Sequence, residues 1–227
     1  MNKCLSCPNR EKNGFCNLSE DAREFLIANS FVVEYPRGSV LFREGDIADT
    51  VHIVCSGKLK VSASSQEGRI MILRIAASGS VLGLSAALSE KTHETSVEAL
   101  EPCRVRVMRT RVLQTLLRDH PHAAIGAART LADEYRAAFE EARRIALPET
   151  PAGRVACLLL DWMASSERKG STITLPLTHD EVASMTATTR ETVTRTLSRF
   201  RKDGIIQAKG VSLTILQPNV LQQLSAC

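Results

Sequence analysis

Leu177-Thr178-His179-Asp180-Glu181-Val182-Ala183 and, four residues on, Thr188-Thr189-Arg190-Glu191-Thr192-Val193-Thr194-Arg195 place two helix starts almost back to back. Each start has a threonine with a glutamate three residues later, Thr178 with Glu181 and Thr188 with Glu191. That is the spacing of a capping box, in which hydroxyl and carboxylate satisfy the free backbone N–H groups of a first turn. Two short helices joined by a tight turn follow. Val182 and Met185 on the first, and Val193, Leu197 and Phe200 on the second, have the period needed to pack together. Arg190, Glu191, Thr194 and Arg195 fall on a different face. It offers guanidinium groups for guanine O6 and N7, a carboxylate for cytosine N4 and a methyl group for thymine, the chemistry that reads a DNA major groove. Thr189 and Arg199 complete the candidate DNA-binding set. Two uses of Glu191 stand open at this level: it caps its own helix while the arginines form a solvated face, or it reads a base.

Downstream, Ile205-Ile206 and Val211-Ser212-Leu213-Thr214-Ile215 flank Lys209-Gly210 and predict two short strands, a wing beside the helices. The net charge of the 227-residue chain is only +4, which alone says little about a nucleic-acid partner. Its distribution says more, because Arg190, Arg195, Arg199, Arg201 and Lys202 stand against the single acid Glu191 between Thr189 and Lys202. Such a local excess suits a phosphate-facing surface.

Upstream the pattern changes twice. From Phe31 to Arg109, short runs of Val, Ile and Leu are punctuated by Gly38, Gly45, Gly57, Gly68, Gly79 and Gly83, which predicts a small antiparallel barrel or jelly roll. A helix capped at Ser19 and carrying Phe25, Leu26 and Ile27 precedes it. After Arg111, Ile125, Ala128, Ala132, Tyr135, Phe139, Ala142 and Ala146 recur at alternating steps of three and four, a coiled-coil period whose alanines permit close approach of a second helix. The stretch reads as a dimerisation helix, the alternative being a helix packed on its own barrel. Pro148 and Pro151 break the pattern. The domain plan is therefore a cysteine-bearing head (1–17), a sensory β-barrel (18–110), a dimerisation helix (111–147) and a winged helix-turn-helix (148–227), α+β in class.

The two threonine-led motifs, with Gly57, Gly79 and Gly83 and the long central helix, resemble the CRP/FNR transcriptional regulators over nearly the whole chain. The resemblance implies a homodimer whose second motif helix enters the major groove of a palindromic double-stranded operator. Glu191 and Arg195 would read C·G and G·C pairs, Arg190 and Thr194 would adjust the flanking preference, and RNA polymerase would be a partner. In the cyclic AMP branch a Gly-Glu-Leu turn and an Arg-Ser pair hold the phosphate. Here the turn is Gly83-Leu84-Ser85 and the pair is replaced within His93-Glu94-Thr95. Leu84 stands for the acid and Glu94 for the arginine, so a phosphate would meet repulsion in place of a bidentate partner, and no cyclic-nucleotide site is expected.

Seven cysteines in a chain without a secretion signal or an eighteen-residue apolar run point to the cytoplasm, away from membranes, and to reduced thiols. Cys4-Leu5-Ser6-Cys7 and Cys16 place three thiols within thirteen residues. The likeness to the oxygen-sensing FNR branch supplies Cys103 as the fourth ligand of a [4Fe-4S] cluster that would control dimerisation and DNA binding. The eight residues between Cys7 and Cys16 exceed that branch's usual gap. A Cys4 Zn²⁺ site or a dithiol switch uses the same residues. Phe15 is either a shield for the cluster or a hydrophobic anchor, and Cys55 and Cys157 read as buried fillers. A thiol-disulfide enzyme built on Cys4 and Cys7 is the competing class, but it leaves the helix-turn-helix unexplained, and no Ser-His-Asp set or phosphate-binding loop is present. The five histidines are scattered, leaving haem ligation by one of them open.

Overall fold

The computed structural model describes residues 7, 15–165, 172–174, 177–209 and 212–225. Cys4, Cys227 and the Gly210-Val211 part of the expected wing lie outside them. The chain divides into two compact units, residues 1–137 and 138–227.

The first unit opens with α1 (Glu20–Ala28), then β1 (Ser30–Tyr35), β2 (Val40–Phe42), β3 (Thr50–Ser56), β4 (Leu59–Ser64), β5 (Ile70–Ala76), β6 (Val81–Leu82), the short α2 (Leu84–Ser89), β7 (Ser96–Ala99) and β8 (Cys103–Arg109). The strands form two antiparallel four-stranded sheets, ordered β1-β8-β3-β6 and β2-β7-β4-β5. Alternation along each strand sends one set of side chains between the sheets. Phe42, Val54, Leu59, Val61, Leu82, Val97 and Val105 make that interior, so the jelly roll expected from the glycine-punctuated runs is present. A second cluster, outside the sandwich, joins α1, β3, α2 and the helices that follow through Leu26, Val51, Leu84, Leu113, Leu116, Ala123 and Ala127.

Residues 111–147 hold two helices, α3 (Thr110–Asp119) and α4 (Pro121–Ala146). The break has a local cause, since a residue before proline is driven out of the helical region and His120 sits at φ −128°, ψ 89°. Pro121 then starts α4, where its missing N–H costs nothing. Ala123 and Ala127 of α4 join the core of their own unit. The predicted seam does not: Ile125, Ala128, Ala132, Tyr135, Phe139, Ala142 and Ala146 are all exposed, with Ile125, Tyr135 and Phe139 at 50%, 67% and 56%.

The second unit contains α5 (Pro151–Ser165), β9 (Thr172–Thr174), α6 (His179–Met185), α7 (Arg190–Lys202), β10 (Ile206–Lys209), β11 (Ser212–Ile215) and α8 (Pro218–Ser225). The strands pair antiparallel in the order β10-β11-β9. Val182 and Met185 of α6 and Val193 and Phe200 of α7 are buried, as their spacing requires, and Leu197 is half-buried. α5 and α8 come so close that a Cβ on Gly153 would stand 2.7 Å from the Leu224 carbonyl oxygen. Cys157 of α5 is buried and disulfide-bonded, which departs from the expectation of reduced thiols, while Cys55 is half-buried. Among the described residues no helix is long and apolar enough to cross a membrane.

Candidate nucleic-acid interface and sensory residues

The two motif helices are positioned by their caps. At α6 the expected box is complete: the Glu181 N–H donates to the Thr178 hydroxyl at 3.2 Å, and the Thr178 N–H donates to the Glu181 carboxylate at 2.7 Å. At α7 the cap lies one residue later than the sequence pattern indicates. Thr189, not Thr188, accepts from the Thr192 N–H, at 3.3 Å, while the Thr188 N–H closes the preceding turn on the Ala183 carbonyl. The shift corrects the second capping box, because it moves Glu191 from the third helical position to the second. Its carboxyl is nonetheless held below the ordinary carboxylate range, first by its own backbone N–H, then by the Thr189 hydroxyl and the charges of Arg190 and Arg195. A carboxylate in a first turn also suits the positive end of the helix.

Thr189, Arg190, Glu191, Thr194, Arg195 and Arg199 are all exposed. Arg195 Nη2 donates to the Thr192 hydroxyl at 3.3 Å, and Arg190 Nε stands 3.8 Å from Asp180. Both pairs are solvent-exposed and worth little to stability, so their guanidinium groups are available to a ligand. Arg199, Arg201 and Lys202 occupy the last turn, where they also oppose the negative end of the helix dipole.

Two contributors escaped sequence reasoning. Arg154 of α5 donates from Nε to the Thr186 carbonyl at 2.8 Å and from Nη2 to the Ala187 carbonyl at 3.3 Å, bracing the turn between α6 and α7. Ala187 within it has φ +46°, a left-handed conformation disfavoured for a residue with a Cβ. His179, part of the first motif but given no role by its spacing, lies with Nδ1 2.8 Å from the Thr194 hydroxyl. Neither shows a local pattern, since the partners stand 15 to 33 residues away.

The sensory residues are differently placed. Phe15 is fully buried in the outer core of the first unit beside Leu18, Leu26 and Leu116, the position of a hydrophobic anchor. Cys16 packs half-buried against the same cluster, and Cys7 is half-buried. Cys103 belongs to the interior of the sandwich. Its thiol donates toward the Glu101 and Lys58 carbonyls at 3.0 and 3.3 Å, and burial pushes its pKa up. Gly57 covers it so closely that a Cβ there would stand 2.5 Å from Sγ. A thiolate facing two carbonyl oxygens would be repelled, so Cys103 as placed does not fit a cluster ligand.

The turn at Gly83, where the resemblance would put a cyclic phosphate, is packed with rings and apolar side chains. Gly83 (φ +78°) packs against His93, whose Cε1 would lie 2.7 Å from a Cβ on Gly83. His93 stacks on Phe42 at 3.8 Å between ring centres, and His52 packs against Phe42 at 5.3 Å. Leu84, His52 and His93 are buried and Glu94 is exposed. Beside it, a cleft of about 210 Å³ lined by Arg74, Ser80, Thr130, Asp133 and Glu134 holds the Arg74–Glu134 ion pair, 2.7 Å long. Glu134 is raised by burial, opposed by Arg74 and reinforced by the charge of Glu94.

Residues 153–224 match the family described as the Crp-like helix-turn-helix domain, and residues 32–120 match the cyclic nucleotide-binding domain. The chain is 28% identical over 186 residues to a CRP-like cAMP-activated global transcriptional regulator of Mycobacterium tuberculosis, covering 81% of this chain and 83% of that protein. It is also 28% identical over 185 residues to the transcriptional activator protein Anr of Pseudomonas protegens, covering 80% and 75%. Among solved structures, FixK2 from Bradyrhizobium japonicum shares the fold at a TM-score of 0.78 with 24% identity, covering 87% of this chain and 98% of that one.

Proposed function

Because this chain belongs to the CRP/FNR family of DNA-binding transcriptional regulators, we propose that it binds a two-fold symmetric operator as a homodimer, α7 reading the major groove of each half-site. The observation that carries this reading is the exposed set Thr189, Arg190, Glu191, Thr194, Arg195 and Arg199 on a capped helix beside a β10-β11 wing. The exposed seam of α4 supports dimerisation, in keeping with a family whose members are typically dimeric. RNA polymerase is the further partner proposed, and the cytoplasm the compartment. Selection from a randomised duplex library tests the reading by returning a palindrome. Arg195→Ala is expected to weaken that palindrome by about 1–3 kcal/mol per half-site. An equal loss on random DNA would reduce Arg195 to a phosphate contact.

For the input, the proposal is oxygen or redox control through the cysteine head. Relatives include regulators named as cAMP-activated. Leu84, Glu94 and the acids Asp133 and Glu134 argue against a phosphate ligand in this chain. A [4Fe-4S] cluster held by Cys4, Cys7, Cys16 and Cys103 is the sharpest form of the proposal, and Zn²⁺ on the same thiols is its competitor. The cluster form requires Cys103 to leave its two carbonyl partners. Iron, sulfide and zinc analysis of protein prepared without oxygen, beside Cys103→Ser, tests it. Iron lost in the variant supports the four-ligand set. Equal iron in both removes Cys103 from that set, and metal-free protein removes the metal reading altogether.

A further inference from the structure

We infer that His179 is a positioning residue for DNA reading: it engages the Thr194 hydroxyl, so that α7 presents the Thr194 methyl group to the groove and selects thymine there. The inference rests on the proposed operator binding. His179 is the first residue of α6, just inside the Thr178–Glu181 capping box that fixes this end of the helix. Its ring stands at the edge of a hollow lined by Leu177, Val182, Leu197 and Leu213, all within the second unit. From there Nδ1 reaches the Thr194 Oγ1 at 2.8 Å, while the same oxygen lies 2.9 Å from the Arg190 carbonyl.

Proton counting assigns the roles. A threonine hydroxyl has one hydrogen and two lone pairs, and a carbonyl can only accept. The Thr194 hydrogen goes to the Arg190 carbonyl, so the hydrogen in the second contact comes from His179, whose Nδ1–H donates to Oγ1. The neutral Nδ1–H tautomer and the imidazolium both meet this requirement. With its hydrogen committed, Thr194 has none to give to guanine O6 or N7, adenine N7 or thymine O4. Its methyl group remains, and the matching feature in the major groove is the thymine C5-methyl. Without the imidazole the hydroxyl is free to rotate among its staggered positions, and that choice is lost.

The test uses the full chain and the operator returned by library selection. Each thymine of a half-site is replaced in turn by deoxyuridine, which removes only the methyl group, and dissociation constants are measured by fluorescence anisotropy. For the unaltered protein, one thymine per half-site is expected to show a loss of about three- to five-fold, the worth of one buried methyl group. Thr194→Val, which keeps the methyl group, retains that penalty, and Thr194→Ser abolishes it. In His179→Phe, which keeps a ring in the hollow, the penalty falls below about 1.5-fold. The site-specific uracil penalty is a readout that a general loss of folding does not produce. An undiminished penalty in His179→Phe overturns the inference, as does the absence of any thymine-specific penalty in the unaltered protein. An equal loss by His179→Phe on operator and random DNA, with the penalty intact, makes His179 a phosphate contact and also overturns it. Failure of the library to return any palindrome refutes operator binding itself, which separates that failure from the failure of the His179 role.

Discussion

The surface of α7 and the turn around Gly83 use polar residues in opposite ways. On α7 the arginines, Glu191 and the threonines stand in solvent on a helix whose apolar face is buried through Val193 and Phe200. Around Gly83 the corresponding positions are turned into core: Leu84 is buried, and His93 and His52 pack on Phe42. The contrast teaches that one chain can hold polar side chains in solvent on one element and pack them into an apolar core on another. A surface side chain changes recognition with little effect on folding, and a buried one does the reverse.

Leu84→Glu is the severest test of that contrast. It restores the acid of the cyclic AMP branch but places a carboxylate in a core position, with an expected cost of about 3–5 kcal/mol in urea unfolding. A cost under about 1 kcal/mol would mean that the site opens to water, and the contrast would fail. Acid titration probes the same region. Burial, with His93 beside it, pushes the His52 pKa down to about 4 from 6.5. Between those values the unfolded chain binds a proton that the folded chain refuses. The stabilising contribution is therefore complete above pH 6.5 and is lost as pH falls toward 4, by roughly 3 kcal/mol in all. Unfolding midpoints at pH 7.5, 5.5 and 4.5 should show this fall, and His52→Phe should reduce it, leaving the part due to His93, whose pKa burial also pushes down. At the small end, Arg195→Ala should shift unfolding by less than about 0.5 kcal/mol despite its effect on operator binding. A larger shift would give Arg195 a structural duty and blur the division.

Legibility in the sequence followed the range of the interactions. The α6 cap, the buried faces of α6 and α7 and the glycine-punctuated strands depend on neighbours within a few residues, and each was read correctly. The α7 cap was misplaced by one residue because Thr188 and Thr189 are equally good caps, and only the closure of the turn on Ala183 selects between them. The contacts of Arg154 and His179 have no local signature, because their partners are distant along the chain. Cys103 was legible as a cysteine but not as a thiol held by two carbonyls beneath Gly57.

By itself the sequence determined the order of elements, the α+β class, the family and the residues that face solvent on α7, because periodicity and capping are local properties of the chain. Only the tertiary structure decided which polar atoms are committed before any ligand arrives. The Thr194 hydroxyl meets His179 of the neighbouring helix, the Cys103 thiol meets the Lys58 carbonyl, and the His52 ring is buried beside His93, contacts that the fold brings together and that residue type alone does not set.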